Sequence, residues 1–168
     1  GKSIEARNAV LYLGNVPVFY FPYYKQPLDG NMNHFNFVPG YRTSYGEFLL
    51  SSYTWQLNDA VDGVLRADYR TSRGAAGGAD LTLHLGQWGE AALKYYYLHD
   101  KDPNYDNPAV VPPANRQLFG LGYNATPYTN LNFNAQVNYL SDSLILHDFF
   151  QGAYRQNPQP STFLEINR

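Results

Sequence analysis

The chain has 168 residues, of which 44% are hydrophobic and 17% aromatic, including 16 Tyr and 10 Phe. This composition favours strands over helices, so we expect an all-β protein. The net charge of −2, with basic residues scattered among acidic ones, argues against nucleic-acid binding. The absence of cysteine excludes disulfides, thiolate nucleophiles and cysteine-ligated zinc.

The first predicted element is a hairpin within residues 8–24, which read NAVLYLGNVPVFYFPYY. Gly14 and Asn15 tolerate the positive φ that a hairpin turn requires. Pro17 and Pro22 interrupt the second strand and predict an edge position or a bend, because proline cannot donate to the ladder. Residues 25–44 show no period and are predicted to form a linker, so we place a domain boundary there.

In most segments after residue 45, apolar and polar residues alternate as they do in strands with one apolar and one polar face. In the clearest case, Leu131, Phe133 and Val137 alternate with Asn132 and Gln136. Residues 100–115 and 141–161 lack this period and are predicted to be irregular connections. The pattern predicts an antiparallel meander with strands at about 45–57, 61–73, 75–85, 88–99, 116–126, 131–140 and from Phe163.

No apolar run reaches the roughly 20 residues of a spanning helix, but predicted strands of about 10–13 residues are long enough to cross a bilayer. Alternation alone does not decide whether the apolar face points outward to lipid or inward to a core. The strand lengths, the aromatic residues near strand ends and the mixed charges of the polar face favour a transmembrane β-barrel. A soluble antiparallel β-barrel that binds a small apolar ligand and another porin-like outer-membrane barrel remain as alternatives.

Three stretches carry a resemblance to a known family: VPVFYFPYY, GEFLLSSYTWQLNDAVDGVLRADYRTSRG and DSLILHDFFQGAYRQNPQPSTFLEINR. They resemble the LPS-assembly protein family of Gram-negative outer membranes (LptD, formerly organic solvent tolerance protein or OstA). The resemblance implies that the chain is a fragment. Residues 1–26 would be the end of a periplasmic β-jellyroll, residues 27–44 a junction, and residues 45–168 the first strands of an outer-membrane β-barrel.

The same resemblance implies a function in lipopolysaccharide (LPS) transport. Members of the family receive LPS from an LptA-type periplasmic bridge protein and pass it through a barrel with a lateral gate to the outer leaflet. An LptE-type lipoprotein plugs that barrel, and outer-membrane lipid surrounds it. The resemblance therefore implies an outer-membrane location with a periplasmic N-terminal portion, binding rather than catalysis, and no cofactor.

Counting strands from a periplasmic junction gives a topology. With the first barrel strand at 45–57, the connections 100–115 and 141–161 both fall on the periplasmic side. Ordinary outer-membrane barrels have short periplasmic turns, so this expectation departs from the general rule.

The candidate lateral gate lies in and just before the first predicted barrel strand. Many family members have a proline in that strand, where this chain has two serines, and the nearest proline stands before the strand. Alternation there is poor, and a strand weakly committed to one face is weakly registered. The gate candidates are Pro39, Phe48, Leu50, Ser51, Ser52 and Tyr53.

The candidate LPS path consists of the basic residues Arg66, Arg70, Arg73 and Lys94 on the polar face. Arginine pairs with phosphate bidentately, so these residues could guide phosphorylated sugars through a lumen. The alternative is that they pair across strands with acidic neighbours and simply fill the lumen. Those neighbours are Asp62, Asp68, Asp80 and Glu90.

The sequence offers no recognisable catalytic or metal site. His34, His84, His99 and His147 are far apart and show no metal-binding spacing. His84 could share the polar face with Asp80, but no third ligand accompanies them. The nucleophile-elbow pattern GxSxG is also absent, so we expect a protein that is not an enzyme.

Overall fold

The computed structural model describes residues 3–13, 15–27, 34–103 and 111–168. Within these residues the fold is all-β apart from short helices, and it contains a two-stranded and an eight-stranded sheet. None of the helices in the described ranges is long and apolar enough to cross a membrane.

The two-stranded sheet is the predicted hairpin, formed by β1 (Ser3–Leu13) and β2 (Val16–Pro27). Its strands pair antiparallel from the Ser3–Pro27 pair to the Leu13–Val16 pair, with an irregularity between Leu11 and Tyr12. Asn15 lies in the turn, while Gly14 lies outside the described residues. Since a two-stranded sheet has only edge strands, Pro17 and Pro22 of β2 stand where the ladder tolerates them.

The eight-stranded sheet is an antiparallel meander in which every strand pairs with its neighbours in sequence. Its two edge strands are the first and the last. The strands are β3 (His34–Arg42), β4 (Gly46–Asn58), β5 (Val61–Arg70), β6 (Gly74–His84), β7 (Glu90–His99), β8 (Asn115–Tyr128), β9 (Leu131–Leu140) and β10 (Phe163–Asn167).

Strand β3 was not predicted, because its residues were assigned to the linker. The sheet begins at His34 rather than at residue 45, and Pro39 lies inside β3, opposite Leu49 of β4. The Pro, Gly and Asn residues that obscure the period are acceptable in an edge strand, since one side of its ladder is unpaired. The topology count was therefore wrong by one strand, and the two long connections lie at the end of the sheet opposite to the one where β3 begins.

One face of the sheet is apolar and open. Cross-strand pairing aligns Leu65, Ala79, Tyr95, Phe119 and Tyr139 in one row. Leu65 is 49% exposed, Tyr95 41% and Tyr139 52%. We call this side the apolar face, and nothing in the described residues covers it.

The opposite side, here the covered face, carries the polar residues and one apolar cluster. Residues 141–161 between β9 and β10 form two short helices, α1 (Ile145–Phe149) and α2 (Gln151–Gln156), and we call this segment the helical insertion. Ile145 and Leu146 pack against Tyr96, Leu98 and Leu118 of the sheet. Helices of this length are not stable by themselves, so packing on the covered face holds them. The sequence predicted only an irregular connection here.

Candidate functional site

Five basic residues line the covered face, and we call them the basic wall. They are Arg66 and Arg70 on β5, Arg73 in the turn to β6, Lys94 on β7, and Arg116, the second residue of β8. Arg73 and Arg116 are 1% and 0% exposed, so neither charge is solvated in this structure. Buried charges are stable only when they are paired and hydrogen-bonded.

Aspartates at the strand ends pair with the two most buried arginines. Arg73 donates to Asp100 through Nε (2.9 Å to Oδ1) and Nη2 (2.8 Å to Oδ2). Arg116 donates to both oxygens of Asp142 at 3.0 and 2.7 Å, and to Oδ2 of Asp100 at 3.0 Å. Gly74 has φ +98°, and a Cβ there would lie 2.4 Å from the His99 carbonyl oxygen. Glycine therefore allows β6 to begin directly after Arg73, beside Asp100.

The pKa values of the central pair follow from this pairing. Burial by itself raises the pKa of Asp100, but hydrogen bonds from Arg73 and Arg116 outweigh burial and leave it below its ordinary value. Burial lowers the pKa of Arg73, and the carboxylates of Asp100 and Asp148 raise it above its ordinary value. Both groups are therefore held in their charged forms.

Three consecutive residues of the helical insertion, Asp148, Phe149 and Phe150, contact the basic wall, and we call them the docking triplet. Asp148 Oδ2 accepts from Arg116 Nη1 at 2.6 Å and from Arg73 Nη2 at 3.2 Å. The Tyr45 hydroxyl donates to the backbone carbonyl of Asp148. The side chain and the backbone of Asp148 therefore both hold the insertion on the sheet.

The two phenylalanines extend this contact over the other cations. The guanidinium carbons of Arg70, Arg73 and Arg116 lie 5.1, 4.9 and 5.0 Å from the centre of the Phe149 ring. Lys94 Nζ lies 4.5 Å from the centre of the Phe150 ring. Cations at these distances are attracted by the face of the ring, more strongly when they are desolvated.

The basic wall keeps spare hydrogen-bond donors. Arg70, 2% exposed, donates through Nη1 to the Tyr96 hydroxyl at 3.1 Å and through Nη2 to Asp68 at 3.3 Å. Its Nε, and the Nε of Arg66, have no hydrogen-bond partner in the described part of the chain. Beyond Lys94 the covered face opens into a concavity of about 380 Å³, lined in part by Gly120 and Asn138.

The structure places the four predicted path residues together on the covered face, but each is engaged. Arg66 forms an ion pair with Asp80, as the cross-strand alternative predicted. Arg70 pairs with Asp68, whereas Arg73 uses Asp100 and Asp148, which the sequence analysis did not consider. In this arrangement the docking triplet covers Arg70, Arg73 and Lys94. Guidance of phosphorylated sugars by these residues stays a prediction.

The gate candidates on β4 lie on an interior strand, paired with β3 on one side and β5 on the other. The Phe48 ring lies over Gly40, where a Cβ would be 2.4 Å from its Cζ. Ser51 donates its backbone N–H to Asp68 Oδ1 at 3.2 Å, and the ring of Tyr53 lies 4.5 Å from that of Phe35. Leu50 and Ser52 stand opposite Asp68 and Arg66. These contacts give β4 a definite register, so the unpaired edge is on β3, with Pro39.

A second polar group lies at the other end of the sheet. His84 Nε2 is 2.7 Å from Asp62 and its Nδ1 is 3.1 Å from Glu90. Among the described residues no three His, Asp or Glu side chains are arranged to hold a metal ion. The group is a set of cross-strand polar contacts between exposed side chains, and contacts of this kind contribute little to stability.

Several residues of this site were missed from the sequence. Arg116, Asp100 and Asp142 each stand at or next to a strand end, where periodicity says little about direction. The triplet DFF was visible as part of a resemblance, but its role was not. One signal in the sequence could have placed Arg116. It stands two residues before Leu118 on the same strand, and residues two apart on a strand lie on the same face.

The fold and this site define a class: an antiparallel β-meander with an open apolar face, whose opposite face carries a buried ionic cluster beneath a helical insertion. Comparison with known proteins makes this more specific. The chain is 31% identical over 155 residues to LPS-assembly protein LptD of Xanthomonas oryzae pv. oryzae. The aligned region covers 86% of this chain and 17% of that protein. It is 27% identical over 154 residues to LptD of Escherichia coli K12, covering 86% of the chain and 19% of that protein.

A third relative, LptD of Coxiella burnetii, is 33% identical over 72 residues, which are 42% of this chain and 8% of that protein. No family profile matches the chain. The chain belongs to the LPS-assembly protein LptD family, and it spans less than a fifth of the length of these curated relatives.

Proposed function

We propose that the eight-stranded sheet is part of the wall of an outer-membrane β-barrel that takes part in LPS assembly. The observation that carries this proposal is the apolar face: its large side chains are 41–52% exposed in the row of Leu65, Tyr95 and Tyr139. A soluble protein rarely leaves so continuous an apolar surface open. In a bilayer this surface faces lipid, while the covered face with its ion pairs faces a lumen.

Strand parity supports an orientation for this wall. If β3 begins at the periplasmic side, the short turns after β4, β6 and β8 are periplasmic. The connection after β7 and the helical insertion after β9 then lie on the outer side. Short periplasmic turns and longer outer connections are the usual arrangement of bacterial outer-membrane barrels.

We place the lateral gate at the open edge of β3. This strand has nine residues, the shortest of the strands from β3 to β9, and Pro39 removes one backbone donor from it. Few ladder bonds at a seam make its opening easier. Strand β4 pairs with the other edge of β3 and would hold it in place through Phe48, Leu50, Ser51, Ser52 and Tyr53.

The partners follow from the family. LPS is the transported molecule, with an LptA-type bridge protein delivering it and an LptE-type lipoprotein plugging the barrel. The hairpin β1–β2 would close a periplasmic jellyroll that receives LPS. The chain acts by binding and passage, without a cofactor and without covalent chemistry.

Site-specific labelling in the cell envelope tests the wall. Single cysteines at Leu131, Phe133 and Val137 are expected to react only with a lipid-soluble thiol reagent, and cysteines at Asn132 and Gln136 only with a membrane-impermeant one. Shielding of all the odd positions from both reagents would instead mean an interior core and a soluble barrel that binds an apolar ligand.

Cross-linking tests the gate separately. A covalent link between β3, for example at Val38, and the last strand of the complete protein is expected to stop LPS from reaching the cell surface. A link between β3 and β4 is the matched control and should leave transport unchanged. Normal transport with the seam closed would exclude β3 as a gate.

A further inference from the structure

We infer that the basic wall is a binding site for the phosphate groups of a glycolipid, and that the docking triplet occupies this site when no ligand is bound. The inference deepens the proposed function, on which it rests. The helical insertion then acts as an internal competitor of the ligand.

The charge balance of the basic wall supports this. The strands and their turns supply its five cations and three carboxylates in contact with them, Asp68, Asp80 and Asp100. Asp62 and Glu90, on the same face, lie at the other end of the sheet beside His84. The helical insertion supplies two more carboxylates to the wall, Asp142 and Asp148. With the insertion docked the five cations of the wall face five carboxylates, and with it lifted the wall has a surplus of positive charge. Such a surplus attracts an anion.

The geometry of Asp148 supports it independently. A single oxygen, Oδ2, accepts from two guanidinium groups, Arg116 at 2.6 Å and Arg73 at 3.2 Å. A phosphate oxygen between two arginines is held by the same charge-assisted bonds. Phosphate also has further acceptor oxygens, and the Nε donors of Arg66 and Arg70, for which the described residues supply no acceptor, lie on the same wall.

The two helices of the insertion can leave the basic wall without breaking a backbone ladder of the sheet. Its helices have five and six residues and no side-chain cap, so they depend on their contacts with the wall. Its ends are fixed by β9 and β10, whose ladder does not include the insertion. The concavity beside Lys94 gives a ligand room to approach the wall from the side.

The test follows the docking triplet directly. In the complete protein, reconstituted in lipid vesicles, p-benzoylphenylalanine replaces Phe150, which lies against Lys94 and Tyr96. Photo-cross-linking to β7 then reports the docked fraction. The probes are purified LPS, the same LPS after enzymatic removal of its phosphates, and inorganic phosphate, while LPS binding is measured separately by co-purification.

We expect LPS to lower cross-linking several-fold and dephosphorylated LPS to require at least about a tenfold higher concentration. Asp148→Asn should lower the LPS concentration needed by about tenfold, because it removes a charged acceptor from two arginines. Phe149→Leu should act in the same direction. Asp59→Asn, in the exposed turn between β4 and β5, is the control and should change nothing.

The outcomes separate this inference from the proposed function. If LPS binds but cross-linking stays constant at saturation, in the parent protein and in both variants, the competition is refuted and the proposed function stands. If LPS does not bind at all, the proposed function fails as well. An equal effect of inorganic phosphate would support the phosphate site and assign it to the free anion.

Discussion

Replacing Arg116 by methionine should strongly destabilise the sheet. The side chain is 0% exposed and donates four hydrogen bonds to Asp100, Asp142 and Asp148. Its removal leaves Asp142 without a cationic partner in the described part of the chain, and Arg73 as the one described guanidinium still paired with Asp100 and Asp148. Breaking a buried ion pair by removing one partner costs about 3–5 kcal/mol. We therefore expect the free energy of unfolding to fall by about that amount at neutral pH.

Urea unfolding of the complete protein, followed by circular dichroism at constant lipid composition, measures this change. Arg155→Met is the control, because Arg155 is exposed on α2 and its loss should stay within about 0.5 kcal/mol. A double variant that also carries Asp142→Leu should recover part of the loss, since it removes one unpaired carboxylate. A loss below about 1 kcal/mol for Arg116→Met would refute the view that the buried ionic cluster stabilises this end of the sheet.

Three further predictions concern other parts of the sheet. Gly78→Ala should lower the free energy of unfolding by about 1–3 kcal/mol, because the new Cβ would lie 2.6 Å from the Tyr95 carbonyl oxygen. Gly122→Ala is the control and should be tolerated, since no described atom lies within 4 Å of the Cβ position there. Equal urea midpoints for the two variants would contradict this prediction. The contribution of Asp100 to the free energy of unfolding should be fully present above about pH 4 and be lost as the pH falls through its lowered pKa. Asp100→Asn should therefore show less loss of stability than the parent protein when unfolding is compared at pH 7 and pH 3. On the apolar face, Leu121→Arg should lower the stability of the sheet in lipid by about 2–4 kcal/mol, whereas Gln136→Arg on the covered face should leave it unchanged. Similar amounts of assembled protein for the two variants would count against a lipid-facing surface.

Much of the sheet could be predicted because alternation is a local property of the sequence. Six of the predicted strands match β4 to β9, with ends that differ by up to three residues. Strand β3 was missed because Pro39, Gly40 and Asn36 break the pattern, and an edge strand accepts such residues where an interior strand does not. A single missed strand then changed the strand count from which the position of both long connections had been predicted.

The candidate site was less predictable, since it joins residues far apart in sequence. Arg66 and Asp80 stand on neighbouring strands at nearly facing positions, so periodicity brought them together. Arg73 and Asp148 are 75 residues apart, and no pattern links a turn residue to a helix that packing alone stabilises. Four of the five cations could therefore be identified from the sequence, whereas the partners Asp100, Asp142 and Asp148 became visible only in the structure.

The helical insertion has a consequence for the order in which the sheet is assembled. The partners of its helices on the basic wall and in the apolar cluster precede it in the chain, from Tyr45 just before β4 to Leu118 of β8. It can therefore close only after those strands are in register, and once closed it joins strands that otherwise touch only their immediate neighbours. A growing sheet of this kind would gain a long-range clasp at β9, before the next strand is added.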